Sequence, residues 1–454
     1  MLITTALHGV QIMRAIILLL TGFMLSACGG GGSNGGNTTA PVNICQRNDI
    51  NAQVYCALQQ DYLWYRDLPA SINPDNYASP EALLQAVAAP QDRYSFILTA
   101  EEYQDRYINA TFFGFGFSSV RADNDSALQI AFVYDDGSAA QNGLRRGDKI
   151  TEIEGVSVSQ WLSRLDAGAI SSEDIYGPNE SGVVRNFVWQ KPDGSQVSAD
   201  FIKSDVTTNT VLHRSVVQQD DKRVGYLVFN SFIELSESEL QQAFEYFAAQ
   251  GANELVLDLR YNGGGLIRVA NQLSTQIAQR NVQGQVFVKY RYNDKNTAKN
   301  NTTLFSLGAG STSLNLDRVF ILTTAGSCSS SELVINALSP FIDVVQIGGT
   351  TCGKPVGQQP DQIGNYVLFA INFQTVNALD QGDYFDGLVP ECQVPEQING
   401  DWGIANDPLY AEAMQYIRSG SCSNVAVSAR SAAALRSLPA KMPVSAPWTV
   451  NDEH

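Results

Sequence analysis

The chain has 454 residues, with 29 lysines and arginines against 46 aspartates and glutamates and a formal net charge of −17. That length predicts two to four domains and ample material for a buried core. The acidic balance repels phosphate backbones and anionic lipid surfaces, which excludes nucleic acid as a partner.

The chain opens with Arg14, an apolar run Ala15–Leu25 and then Leu25-Ser26-Ala27-Cys28, the organisation of an export signal. This stretch resembles a bacterial lipoprotein lipobox. The resemblance implies cleavage before Cys28 and attachment of lipid to its sulfur. An uncleaved anchor is the alternative, but the apolar stretch is short for a spanning helix. Met13 is an alternative start to Met1. We therefore expect a signal peptide over 1–27 and a flexible glycine-rich tether over 28–43. The remainder is expected to be exported, and Gly29 after the lipidated cysteine resembles the pattern of lipoproteins passed to the outer membrane.

Residues 44–110 carry a helical pattern, QVYCALQQDYLWYRDLP and then EALLQAVAA, in which Tyr62, Trp64 and Tyr65 read as core. The segment 111–205 changes to short β-type runs, beginning with FFGFGFSSV and continuing through ALQIAFVYDDGSAAQNGLRRGDKITEIEG. A small helix over Ser138–Gly143 and a turn at Gly147–Asp148 complete a compact β-rich module. From 206 to 422, Val224–Phe232 and Glu254–Arg260 read as buried strands separated by a helix over Ser236–Gln250. Another helix follows Gly265, and strands at Val319–Leu322 and Val344–Ile347 flank a helix that begins near Ser329. This alternation predicts an α/β core. Asn296–Ser313 reads as a polar loop, and the Ser/Ala/Pro-rich segment 423–454 as a disordered tail.

Besides Cys28 the chain has Cys45, Cys56, Cys328, Cys352, Cys392 and Cys422. An even set in an exported chain predicts disulfides, with fifteen possible pairings. Proximity in sequence suggests Cys45–Cys56, Cys328–Cys352 and Cys392–Cys422. The spacing fits no zinc pattern, and neither a metal nor an organic cofactor is implied.

The stretch Thr323–Leu338, TTAGSCSSSELVINAL, poses the chemical question. Ser329 and Glu332 fit a capping box, yet the strand-turn-helix context is also one that nucleophiles use. Local pattern leaves both roles open. A nucleophilic serine needs a base, usually histidine. His8 belongs to the signal, His454 is terminal, and His213 stands alone. Lysine is the other strong candidate, and Lys354 lies in GGTTCGKPVGQQ, directly after a predicted strand. A free lysine has a pKa of about 10.4, so neutrality near pH 7 works against about 4 kcal/mol, which burial can supply. The same stretch matches most of a phosphate-binding loop from Gly348 to Lys354, but Pro355 replaces the hydroxyl residue that would hold magnesium.

Together these pieces resemble the carboxyl-terminal processing, or tail-specific, serine peptidase family, over about Cys45 to Ile417. The family turn G-S-A-S-A-S-E stands here as Gly326-Ser327-Cys328-Ser329-Ser330-Ser331-Glu332. By that resemblance Ser329 is the nucleophile, Lys354, 25 residues on, the base, and Gln358 the residue that orients the lysine. Gly114, Phe115, Gly116 and Phe117 resemble the carboxylate-binding loop of a PDZ module, whose groove takes a peptide as an added strand; a glycine-bent strand without a ligand is the plainer alternative. DLRYNGGG, Asp258–Gly265, resembles the family's D-L-R-x-N-x-G-G turn. The amide of Gly264 is expected to join that of Ser330 in an oxyanion hole. Cys328, Cys352 and Pro355 depart from the family pattern beside the nucleophile and the lysine.

The expected fold is α/β: a crotonase-like peptidase core with an inserted β-rich PDZ-like module and an N-terminal helical segment. The resemblance implies an exported, lipid-anchored serine endopeptidase acting on proteins or peptides with apolar C-termini, facing the periplasm from the outer membrane. A catalytically inactive peptide-binding lipoprotein scaffold is the alternative, and His213 is the rival base.

Overall fold

The computed structural model describes residues 44–104, 111–178 and 180–423. The signal segment with Cys28, the tether and residues 424–454 of the tail lie outside the described residues.

In the N-terminal segment Asp49 caps the helix Ile50–Asp61 by accepting the Ala52 amide, and Ser79 caps Pro80–Val87 by accepting that of Ala82. The helical pattern ends sooner than expected. Phe96–Thr99 is a strand, antiparallel to Tyr366–Phe369. Its side chains alternate between two apolar clusters, Ile97 in one and Phe96 and Leu98 in the other; a short run buried on both faces carries no period that separates strand from helix. Val54, Tyr55, Leu58, Leu83, Leu84 and Val87 share one core with Val356, Leu368 and Ile371. The segment is therefore packed into the body of the molecule.

The PDZ-like module is a sheet in the order Phe117–Ala122, Ala127–Val133, Lys149–Ile153, Val184–Gln190, Gln196–Ile202, with Val156–Ser157 also paired to the third strand. Phe115, Phe117, Phe187, Trp189 and Phe201 fill its interior. Phe117–Ala122 is an edge strand of that sheet. Arg146 anchors the module to the core: its guanidinium lies 3.8 Å from the Trp402 ring centroid and 3.7 Å from Asp407. Asp407 also pairs, at 2.9 Å, with the fully buried Arg260, which holds Asp258 at 2.8 Å.

The core sheet runs Val211–Gln219, Lys222–Phe229, Glu254–Asp258, Arg318–Thr323, Asp343–Gly348, Cys392–Gln393. All neighbours after the first pair are parallel. Helices Ser236–Ala249, Ile267–Val282 and Ser330–Leu338 pack on one face, and Pro408–Ser419 on the other. Both faces are buried, which is why these strands read as continuous apolar runs. The predicted polar loop Asn296–Ser313 instead contains a strand, Asn301–Leu304, antiparallel to Val286–Tyr292. Its residues are mostly exposed, so no apolar pattern marks it. The three disulfides are Cys45–Cys56, Cys328–Cys352 and Cys392–Cys422.

Candidate active site

Asp258, Thr323 and Gly348 close three adjacent parallel strands. The loops that leave them meet at the carboxyl end of the sheet, where open α/β sheets place their ligands.

The first loop is Leu259–Gly265. Asn262, wholly buried, donates to the Phe229 carbonyl and accepts the Gly264 amide, both at 2.9 Å. Its carbonyl accepts the Cys328 amide at 3.1 Å and the Ser331 hydroxyl at 2.9 Å. Gly264 has φ +105°, and a Cβ there would lie 2.7 Å from Ser329 Cβ and 2.8 Å from the Cys328 carbonyl. Only glycine permits this approach. Gly264→Ala is therefore expected to displace Ser329 and reduce turnover about 100-fold or more. Steady-state assays beside a melting curve check this; an alanine variant with ordinary turnover would remove the steric argument.

The second loop carries Ser329 at φ +56° and ψ −111°, a conformation that L-residues other than glycine rarely adopt. Ser329 and Glu332 form a capping box: the Glu332 carboxylate accepts the Ser329 amide at 2.9 Å, and the Ser329 side chain stands toward the Glu332 amide without closing a full cap hydrogen bond. The glutamate supplies the short hydrogen bond of the cap, and Ser329 lines a cavity.

The third loop is fastened to the second by the same carboxylate. Glu332 Oε1 accepts the Thr351 hydroxyl at 2.6 Å and the Gly353 amide at 2.8 Å, and Oε2 accepts the Lys354 amide at 2.8 Å. Glu332 is fully buried, and that burial pushes its carboxyl above the ordinary range against the pull of these donors. Beside it, the Cys328–Cys352 bridge ties the two loops covalently across a sequence separation of 24. On the chain-entropy model such a bridge stabilises by about 3 kcal/mol. A Cys328→Ser/Cys352→Ser chain is expected to lose about that much in urea unfolding and to turn over more slowly. Unchanged rate and unchanged stability together would show that the bridge braces nothing.

Lys354 is 7% exposed, and its Nζ donates to Gln358 Oε1 at 2.8 Å. Burial lowers the ammonium pKa to about 8, against the opposing pull of Asp92 and Glu332. The depression is smaller than neutrality at pH 7 requires, because two carboxylates lie near. Gln358 in turn donates from Nε2 to the carbonyls of Tyr94 and Phe369. Ser329, Ser330, Lys354, Gln358 and Gly265 line one cavity of about 220 Å³, with Leu266, Leu333, Val356 and Phe373 as apolar walls. The expectation for Gly264 needs correction here. Its amide is taken by Asn262, whereas Gly265 faces the cavity and its amide has no hydrogen bond among the described residues. Ser330 begins its helix, so its amide has no intrahelical acceptor. His213 lies elsewhere, on the edge strand Val211–Gln219, with Nε2 3.1 Å from Ser215 Oγ and its ring against Tyr226.

In the PDZ module Gly114, Phe115, Gly116 and Phe117 are all buried. The Phe115 carbonyl accepts the Ala139 amide at 2.9 Å and the Gly116 carbonyl that of Tyr134 at 2.8 Å. The amides of Phe115 and Gly116 make no hydrogen bond among the described residues. From the edge strand itself, Arg121 forms a bidentate pair with Asp166 at the end of the helix Val158–Asp166, at 2.8 and 2.7 Å.

The chain is similar to serine peptidases in its domains, its sequence relatives and its fold. Residues 223–394 match the model of Peptidase family S41, 49–96 that of the Peptidase S41 N-terminal domain, and 108–170 that of the PDZ domain. Residues 223–394 thus form an S41 peptidase domain, and the chain is a serine peptidase similar to the carboxyl-terminal-processing proteases. It is 26% identical over 356 residues to the carboxyl-terminal-processing protease of Synechocystis sp., covering 76% of each chain. It is 23% identical over 345 residues to that of Picosynechococcus sp., covering 74% of this chain and 78% of the relative. A crystal structure from Bacteroides fragilis described as an S41 protease superposes with a TM-score of 0.66 at 26% identity, over 81% of this chain and 97% of the other.

Proposed function

We propose that this serine peptidase is an exported endopeptidase in which Ser329 and Lys354 form the catalytic dyad. One observation carries the reading: Lys354 is buried in the cavity that Ser329 lines, held by Gln358 and with its pKa drawn down to about 8. Neutral Lys354 Nζ takes the Ser329 Oγ proton as Oγ bonds to the substrate's carbonyl carbon. The carbonyl oxygen gains the negative charge and accepts hydrogen bonds from the amides of Ser330 and Gly265. Collapse breaks the C–N bond while Lys354 returns the proton to the leaving amine. Lys354 then takes a proton from water, the hydroxide attacks the acyl carbon, and Ser329 Oγ leaves with that proton. Gln358 keeps the lysine aimed throughout.

In the same reading the PDZ module receives substrate C-termini. The Phe115 and Gly116 amides take the carboxylate, and the edge strand Phe117–Ala122 takes the peptide as an extra strand. The lipobox at Leu25–Cys28 supports a lipid anchor at Cys28, with the chain facing the periplasm from the outer membrane.

The test incubates the oxidised chain from about Asn43 with unfolded proteins ending in apolar residues, beside Ser329→Ala and Lys354→Ala, and follows fragments by mass spectrometry. Fragments from the unsubstituted chain alone support the dyad, and their ends give the specificity. Binding without cleavage by all three would favour a peptide-binding scaffold. Loss of activity in His213→Ala but not in Lys354→Ala would transfer the base to histidine.

A further inference from the structure

The lysine side of the cavity is built against the N-terminal segment as well as the peptidase core. The turn Asp92-Arg93-Tyr94-Ser95 lies between the helix Pro80–Val87 and the strand Phe96–Thr99. It is fixed from within: Asp92 Oδ1 accepts the Tyr94 and Ser95 amides at 2.9 Å each, and Oδ2 accepts the Tyr62 hydroxyl at 2.6 Å. Ser95 Oγ accepts the Ile371 amide at 2.9 Å, which fastens the turn to the strand paired with Val356–Gln358.

From this turn Tyr94 touches the lysine apparatus at every part. Its ring centroid lies 5.1 Å from Lys354 Nζ. Its hydroxyl sits 3.2 Å from the Cys352 carbonyl and 3.1 Å from that of Gly353, the two residues before the lysine. Its own carbonyl accepts Gln358 Nε2. The last contact fixes which way the glutamine amide faces. With Nε2 committed to a carbonyl, Oε1 is left for the lysine; the flipped amide would set a donor against Nζ and an oxygen against an oxygen.

We propose that Tyr94 is the positioning residue of the lysine base, holding the Gln358 amide and the Lys354 loop in register and keeping water from Nζ. The inference rests on the reading of Lys354 as the base. It makes the N-terminal segment a support of the catalytic apparatus: the residues that line the cavity come from the peptidase core, and the turn of Tyr94 backs the lysine from outside it.

The groups facing Lys354 give the inference a sign. Asp92 comes from the turn and Glu332 from the helix Ser330–Leu338, with Tyr384 near Glu332 and Arg93 stacked 5.3 Å from the Tyr94 ring centroid. Burial is the largest influence on the ammonium, and both carboxylates oppose it. Removing the Tyr94 ring lets water reach the ammonium, so the midpoint of the rising limb of kcat moves to higher pH. Replacing Asp92 by asparagine removes a negative neighbour, so the midpoint moves lower. Structural damage alone has no reason to move the two in opposite directions.

The experiment measures kcat and KM of the full chain across the neutral and alkaline range on an unfolded protein substrate. The variants are Tyr94→Ala, Tyr94→Phe and Asp92→Asn, with Lys354→Ala as control and a melting curve for each. Tyr94→Ala is expected to raise the midpoint by about one pH unit and lower kcat about tenfold near neutrality, with KM much less affected. Tyr94→Phe keeps the ring and the backbone carbonyl and is expected to restore the midpoint and most of kcat. Asp92→Asn is expected to lower the midpoint. A folded Tyr94→Ala chain with an unmoved midpoint and undiminished kcat overturns the inference while the dyad stands. Should Tyr94→Ala fail to fold, an unmoved midpoint in Asp92→Asn overturns it instead. Activity retained by Lys354→Ala would instead bring down the base assignment on which the inference rests.

Discussion

Replacing Lys354 by methionine is expected to reduce peptidase turnover by about 1,000-fold or more while making the folded chain more stable at neutral pH. The two effects have one cause. Burial holds the lysine at about 8, below the range of a free lysine, so the folded chain at pH 7 keeps an ammonium where it is poorly solvated. The depressed pKa means that the unfolded chain binds the proton more tightly. The charge therefore costs stability below about 8, and the cost fades as pH rises from there toward about 10.4. A drop of that size corresponds to about 3 kcal/mol at most. Melting curves should favour the methionine chain at pH 7, with the advantage shrinking as the solution becomes alkaline. The rate of the unsubstituted chain should rise over the same range with a midpoint near about 8, only about one tenth of the lysine being neutral at pH 7. A methionine chain that melts lower at neutral pH would instead mean that the ammonium holds the loops together.

Substitution of Glu332, by contrast, should damage the fold. Its carboxylate accepts three amides, from Ser329, Gly353 and Lys354, and the Thr351 hydroxyl. Alanine would leave these donors buried and unpaired, at about 1–3 kcal/mol for each one that finds no water. We expect a loss of about 4 kcal/mol or more in urea unfolding and no measurable turnover. Glutamine keeps the volume but presents a donor to a ring of donors. It should fold better than the alanine chain and still lose most of its activity, because the serine and lysine loops would no longer share an anchor. A glutamine chain with near-normal kcat would reduce Glu332 to a helix cap.

Glu332 also shows what the sequence made legible and what it did not. Its position three residues after Ser329 announces a helix start, and the helix is there. That it also gathers the loop of Lys354 depends on two strands, Arg318–Thr323 and Asp343–Gly348, lying side by side in register, which no local pattern states. The core strands were legible because burial on both faces writes them as apolar runs. The pairing of the cysteines followed from their nearness in sequence. Ser329, Lys354 and Gln358 were legible through their resemblance to a family motif and its spacing, and the structure brings all three to one cavity. Gly264 and Gly265 could not be ranked, since which amide points outward depends on the turn that Asn262 ties. Tyr94 left no mark at all: it lies more than 200 residues before the lysine in a segment whose pattern speaks only of packing.

The shared core of the N-terminal helices and the strand region around Val356–Ile371 bears on the order in which the molecule can form. A chain is made from its amino end, and domains commonly fold as they emerge. Here the first helices have no complete apolar partner until some 300 residues later, a long loop to close before any contact rewards it. Until that late segment arrives the Tyr94 carbonyl has no glutamine to accept, and its ring has no lysine beside it. The nascent chain thus has no working cleft until its late segment has been made and has docked on the first helices.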